Sequence, residues 1–193
     1  MKKVIVLFIT SIFILPIYGQ FKAKMVFNSM GKERAFTVYS SDDGYRYEFN
    51  EDGQEGAIIV TKGSSQVIIL MPAEKMAMKS PAGSSMNTGN DPIKSYEQYK
   101  SDGILKEVGK ETINGIECTK SILYDKDNPT QKLFTIWFSE KYNFPIKMIN
   151  HVDGEDGSGM ELKDIEPWKP NSNSFSIPEG YQLMDMGGMM RER

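Results

Sequence analysis

One histidine and one cysteine are all that 193 residues supply of the side chains that most often act as bases, nucleophiles or metal ligands. His151 stands at the end of a strand pattern, ahead of the turn at 153–159, with no partner beside it in sequence. It reads either as a solvent-facing strand end or, functionally, as a general base or metal ligand. Cys118 lies inside the alternating run Ile116-Glu117-Cys118-Thr119 and reads as a buried strand thiol. With no second cysteine there is no intramolecular disulfide, so packing must supply the stability. No nucleophile, base and orienting group can be assembled from this inventory, so the expectation is no enzyme, no catalytic residue, no metal and no cofactor.

Positive charge is also scarce, with 23 Lys and Arg against 26 Asp and Glu. A basic footprint for a phosphate backbone is missing, which excludes nucleic acid as the expected partner. The acidic turn Asp153-Gly154-Glu155-Asp156-Gly157 suggests a calcium loop, but counting from Asp153 does not place the glycine and glutamate that the EF-hand requires. The glycines of the same stretch are followed by no helix and make no phosphate cradle. The one long apolar run is Val4 to Leu15, behind Lys2 and Lys3 and ahead of Pro16 and Gly19. This predicts a cleaved signal peptide at 1–19, because a membrane anchor needs about 20 apolar residues. Gln20 stands where a lipoprotein would carry its anchoring cysteine. The expected product is periplasmic or secreted, not lipidated and not membrane-spanning after cleavage.

From Phe21 onward apolar residues recur at every second position, the period of half-buried strands. Phe21, Ala23, Met25 and Phe27 share a face; Phe36 and Val38 continue it; Tyr45, Tyr47 and Phe49 follow the Asp42-Asp43-Gly44 turn. β-rich runs at Ala57 to Thr61 and Gln66 to Met71 and a short strand through Met76 and Met78 lead to a Gly, Ser, Asn and Pro loop at 80–90. Asp91-Pro92 then opens a helix that stops near Gly103. Strands return at Ile104 to Thr112, Glu117 to Tyr124, Lys132 to Ser139, Pro145 to Val152 and Met160 to Ile165, with an Asn114-Gly115 hairpin turn between the first two. The predicted fold is mainly β: a curved, wholly antiparallel sheet of about ten or eleven strands, a half-open barrel covered by one helix. A single domain over 20–186 is expected, with a flexible tail at 187–193.

Methionine is abundant, with 13 in the chain, clustered at Met71, Met76, Met78 and Met86 and again at Met184, Met186, Met189 and Met190. Thioethers are soft copper(I) ligands. The preferred reading is that flexible methionines line adaptable apolar surfaces or fill gaps in cores, because no His or Cys accompanies either cluster.

Several strings occur in order: Gly44-Tyr45-Arg46-Tyr47-Glu48, Val67-Ile68-Ile69-Leu70-Met71-Pro72, the run from Gly109 to Lys120, Pro145-Ile146-Lys147-Met148, and Phe175-Ser176-Ile177-Pro178-Glu179-Gly180-Tyr181. With them the chain resembles an exported bacterial domain family of unknown function (Bacteroidetes-type). That family is itself similar to the periplasmic lipoprotein carriers and receptors of the LolA/LolB-like half-barrel fold. The resemblance implies an incomplete barrel whose apolar interior, closed by helices, accepts acyl chains or another hydrophobic ligand. It also implies a lid contact from an early-strand arginine, for which Arg46 is the counterpart, although Tyr47 replaces the proline that follows in the carriers. Arg46 as an ordinary outward strand residue is the alternative.

Alternation and the resemblance together nominate Phe27, Phe36, Tyr47, Phe49, Ile69, Met71, Trp137 and Phe138 as an apolar lining, with core packing the rival role for each. Two functions follow as expectations. One is a soluble periplasmic binding or carrier protein for a lipid or acyl ligand. The other is a cell-envelope module that binds another protein and carries no small ligand, with the Met-rich tail from Met184 as its docking element.

Overall fold

Period-two patterning produces a single sheet of twelve strands in the computed structural model, which describes residues 19–29, 31–51, 53–81, 92–151 and 157–186. The elements are β1 (Phe21–Ser29), β2 (Lys32–Ser41), β3 (Gly44–Glu51), β4 (Gln54–Thr61), β5 (Gln66–Met71), β6 (Met76–Pro81), α1 (Pro92–Asp102), β7 (Ile104–Ile113), β8 (Ile116–Tyr124), β9 (Lys132–Ser139), β10 (Phe144–Asn150), β11 (Gly159–Pro167) and β12 (Gln182–Asp185). Their order across the sheet is β12-β6-β5-β4-β3-β2-β1-β11-β10-β9-β8-β7. The expected signal peptide except Gly19, the loop at 82–90, Asp91, most of the acidic turn and the tail at 187–193 lie outside the described residues.

Two meanders thus join through β1 and β11, which pair antiparallel from Phe21↔Pro167 to Asn28↔Gly159. Hairpin turns follow local chemistry. Asn114 and Gly115 both take positive φ, at 49° and 78°, the geometry a two-residue turn needs to match the twist of its strands.

The wholly antiparallel expectation is overturned at one edge, where β12 runs parallel to β6 from Gln182↔Met76 to Asp185↔Lys79. Strand direction explains this. β11 and β6 point the same way, so the chain leaving β11 must cross the outer face diagonally before β12 can start beside β6. The crossing segment is anchored by Trp168 on Tyr39, with ring centroids 5.2 Å apart. Phe175, Ile177 and Tyr181 then pack on a small core of Ala57, Ile59, Leu70 and Ala77. Met184, expected in a tail with no place in the meander, is therefore part of a strand.

The main core lies on the opposite, inner face. Phe21, Val38, Ile136, Phe144, Ile146 and Leu162 are fully buried there. An eleven-residue helix is marginal by itself. α1 is held by two stacked ring pairs, Tyr96 on Phe138 at 4.7 Å and Tyr99 on Phe134 at 4.4 Å. Each such pair contributes about 0.5–1.5 kcal/mol beyond the area it buries. The helix ends where Gly103 N–H donates to the Tyr99 carbonyl at 3.0 Å.

Candidate functional site

Register pairing draws one unbroken row of side chains across seven strands of the inner face. Ala23 faces Val38, Val38 faces Tyr47, Tyr47 faces Ile58, Ile58 faces Ile69, Ile69 faces Met78, and Met78 faces Met184. Burial falls along it: Ala23, Val38 and Tyr47 are at most 2% exposed, whereas Ile58, Ile69 and Met78 are half-buried and Met184 is 37% exposed. A neighbouring row holds Phe27, Phe36 and Phe49 in edge-to-face contact at 5.5 and 6.3 Å, and continues through Gly56 to the facing pair Met71 and Met76. Under α1 and the β1–β3 half the inner face is packed. Over β4–β6 it presents Ile58, Ile69, Met71, Met76 and Met78 with no ionisable group among them. Such a surface can bind by apolar contact.

Of the residues expected to line an apolar site, Phe27, Phe36, Tyr47, Phe49, Ile69, Met71 and Phe138 share the inner face. Phe36 and Tyr47 are buried in the core, and Phe138 lies beneath Tyr96 of the helix. Trp137 is placed elsewhere. As the neighbour of Phe138 it points to the opposite face, where Lys120 and Lys147 lie over its ring at 4.9 and 5.7 Å and its Nε1 donates to Glu111 at 3.0 Å. Arg46 is on the outer face as well, paired with Glu48 at 2.7 Å and away from the helix. Ile58, Met76, Met78 and Met184 were not nominated, although the same alternation that marks Ile69 and Met71 could have added Ile58 and Met78.

A pocket of about 270 Å³ opens beside the first turn of α1, between Ile93 and the β2–β3 side, lined by Ser40, Tyr45, Val60 and Tyr142. A larger depression of about 660 Å³ lies on the outer face over the small residues Ala35, Thr37 and Ala57, walled by Lys24, Glu48 and Asp164. Its walls are charged where the inner face is apolar.

The shifted values among the described titratable groups have local structural causes. Hydrogen bonds from Lys120 at 2.9 Å and from Trp137 hold Glu111 below the usual carboxylate range. Glu161 is also lowered: burial pushes it up, but hydrogen bonds from Asn114 and Lys147 outweigh that push. Burial pushes the Cys118 thiol up to about 11, away from nucleophilic use. His151 shares a 2.8 Å hydrogen bond between its Nε2 and the Thr135 hydroxyl. Among the described residues no cluster of three or more His, Cys, Asp or Glu could hold a metal ion. No described helix is long and apolar enough to cross a membrane.

The class defined by this geometry is an open half-barrel: one large, almost wholly antiparallel sheet with, among the described residues, one helix on its inner face. Within it the chain belongs to the DUF4412 family, a domain of unknown function, whose profile matches residues 18–142. No protein of curated function matches it in sequence. Among solved structures the chain is similar to an uncharacterized conserved protein from Thermus thermophilus, with a TM-score of 0.57, 11% identity, and 88% of this chain and 92% of that one covered. It is also similar to the Pseudomonas aeruginosa MucA/MucB complex, with a TM-score of 0.51 and 15% identity over 86% of this chain, which spans only 58% of that one. A LolA superfamily protein from Nitrosomonas europaea aligns at a TM-score of 0.42 and 8% identity over 84% of this chain and 91% of that one.

Proposed function

We propose that this chain is an exported binding or carrier protein that takes a hydrophobic ligand, a lipid or acyl chain, on the β4–β6 part of its inner face. The observation that supports this reading is the fall in burial along the row from Val38 and Tyr47 to Ile58, Ile69 and Met78. The same apolar pattern continues beyond the buried core with side chains that are only half-buried. A lipid needs such a surface, since apolar contact contributes roughly 25 cal/mol per Å² removed from water. The test is native mass spectrometry of the full chain purified from a periplasm, joined to titration with a fluorescent fatty acid. A co-purifying lipid mass is expected, and Ile69→Asp should weaken probe binding at least tenfold with an unchanged circular dichroism spectrum. Recovery of bare polypeptide that binds no probe would sink the reading.

A second reading is a protein-interaction module. The likeness to the MucA/MucB complex favours it, as does exposed apolar surface at both edges of the sheet, Val108 on β7 and Leu183 on β12, each 51% exposed. Crosslinking in cells would distinguish it: a protein partner lost on Leu183→Asp supports the module, and an unchanged set of crosslinks removes it.

A further inference from the structure

Two methionine groups separated by more than a hundred residues in sequence meet at one corner of the sheet. Met71 on β5 and Met76 on β6 are register partners, and Met78 on β6 partners Met184 on β12. Directly paired residues share a face, as do residues two apart on one strand, so the four thioethers stand on the inner face as a staggered row across three strands, with Met76 and Met78 in the middle and Met71 and Met184 at the ends. Adjacent strands lie about 4.8 Å apart and the i,i+2 step along β6 is about 6.7 Å, so neighbouring members of the row reach one another, while Met71 and Met184, about 12 Å apart, meet at a common ion by extending their flexible three-bond side chains toward the middle. The parallel pairing of β12 creates the patch, since an antiparallel strand at that edge would not bring Met184 beside Met78 in this register.

Two further features suit a soft cation. Met71, Met76 and Met78 are only half-buried and Met184 is 37% exposed, so the sulfurs are accessible and are not filling a sealed core. The other inner-face residues of these strands are Val67, Ile69, Ser80 and Gln182, none of them charged, while Lys79 and Asp185 belong to the opposite face. A cation arriving at the patch meets no ammonium or guanidinium from the strands that carry it. Neutral thioethers without imidazole or carboxylate select a soft monovalent ion over zinc or copper(II).

We propose that Met71, Met76, Met78 and Met184 form a binding site for copper(I), one ion per chain, at the rim of the inner face. The site stands independently of the lipid reading. Binding is simple association of the ion with sulfur lone pairs, without electron transfer and without proton release, so affinity should be nearly flat between pH 5 and 8.

The test is anaerobic titration of the full chain with copper(I) in competition with a chromophoric copper(I) chelator. One equivalent should bind, and X-ray absorption at the copper edge should show a sulfur-only shell. Met71→Leu with Met78→Leu should weaken binding at least tenfold. Leucine keeps volume and apolar area, so an unchanged circular dichroism spectrum should accompany the loss. The copper(I) titration contains no lipid, so its outcome is read separately from the fatty-acid titration that tests the lipid reading. Met189→Leu with Met190→Leu should leave the affinity unaltered. Absence of stoichiometric binding, a nitrogen or oxygen shell, or dependence on Met189 and Met190 in place of the four residues would each overturn the site.

Discussion

The ring of Phe49 on β3 lies across the α-carbon of Gly56 on β4, its register partner, and occupies the space a β-carbon at Gly56 would need. An aromatic side chain covers a strand glycine that would otherwise leave a gap in the inner face. The same ring contacts Phe36 and so ties the open part of the face to the packed part.

Gly56→Ala should therefore destabilise the protein by about 1–3 kcal/mol, the range for overpacking a close contact. Phe49→Leu alone should also destabilise. The double variant should lose less than the sum of the two, because removing the ring vacates the space that the added methyl group would take. Urea denaturation of the four proteins measures this coupling, and strict additivity would show that the ring and the glycine are independent.

Acid should loosen the outer-face network around Trp137. Glu111 is held below its ordinary value of 4.5 by hydrogen bonds from Lys120 and Trp137. A carboxylate lowered in the folded state adds stability above its unfolded value, and that stability is lost as pH falls through the folded value. Denaturation midpoints should fall below about pH 4.5, and Glu111→Gln should weaken that fall. Glu161, also lowered, keeps part of it. The Glu111 contribution is small, because the carboxylate is largely solvated.

The tip of the β7–β8 hairpin is tied to β11. β10 and β11 pair only over Lys147–Ile149, and at the Lys147 end of that stretch Asn114 Nδ2 donates to the Leu162 carbonyl at 2.7 Å and to Glu161 at 3.0 Å. Asn114→Gly keeps the positive-φ turn and loses both bonds, at an expected cost of about 1–2 kcal/mol. Asn114→Ala should cost more, since alanine resists that backbone conformation. Thermal melts of the two variants give the ranking, and equal melting temperatures would refute it.

Cys118 is 1% exposed and its thiol is pushed up to about 11 by burial. A thiol reagent at pH 8 should label it at the rate of structural opening and not of free cysteine, with full labelling in denaturant. Rapid stoichiometric labelling of the native protein would show that the strand is open to solvent.

Much of this architecture is legible in the alternation of the chain. Phe21, Ala23 and Met25 announce one buried face of β1, and Asn114-Gly115 announces a hairpin whose turn residues adopt the positive φ angles their types favour. The Asp91-Pro92 signal announces the helix found at Pro92–Asp102. Trp137 and Phe138 mark where the reading fails as a guide to the site. Period two says that adjacent residues take opposite faces, but apolar character at both positions hides which of them faces inward. β12 is hidden for a different reason: Gln182–Asp185 is short and exposed, and its pairing depends on residues a hundred positions earlier.

By itself the sequence determined the strand period, the turn positions, the helix opened by Pro92 and the poverty of catalytic side chains, because each is set by local backbone preference or by composition. Tertiary structure alone decided which half of the inner face is packed beneath α1, that Arg46 turns outward, and that Met184 stands beside Met78. Those relations depend on register and on the diagonal path from β11 to β12. Both are fixed by burial of Phe175, Ile177 and Tyr181 against distant strands, which no local pattern encodes.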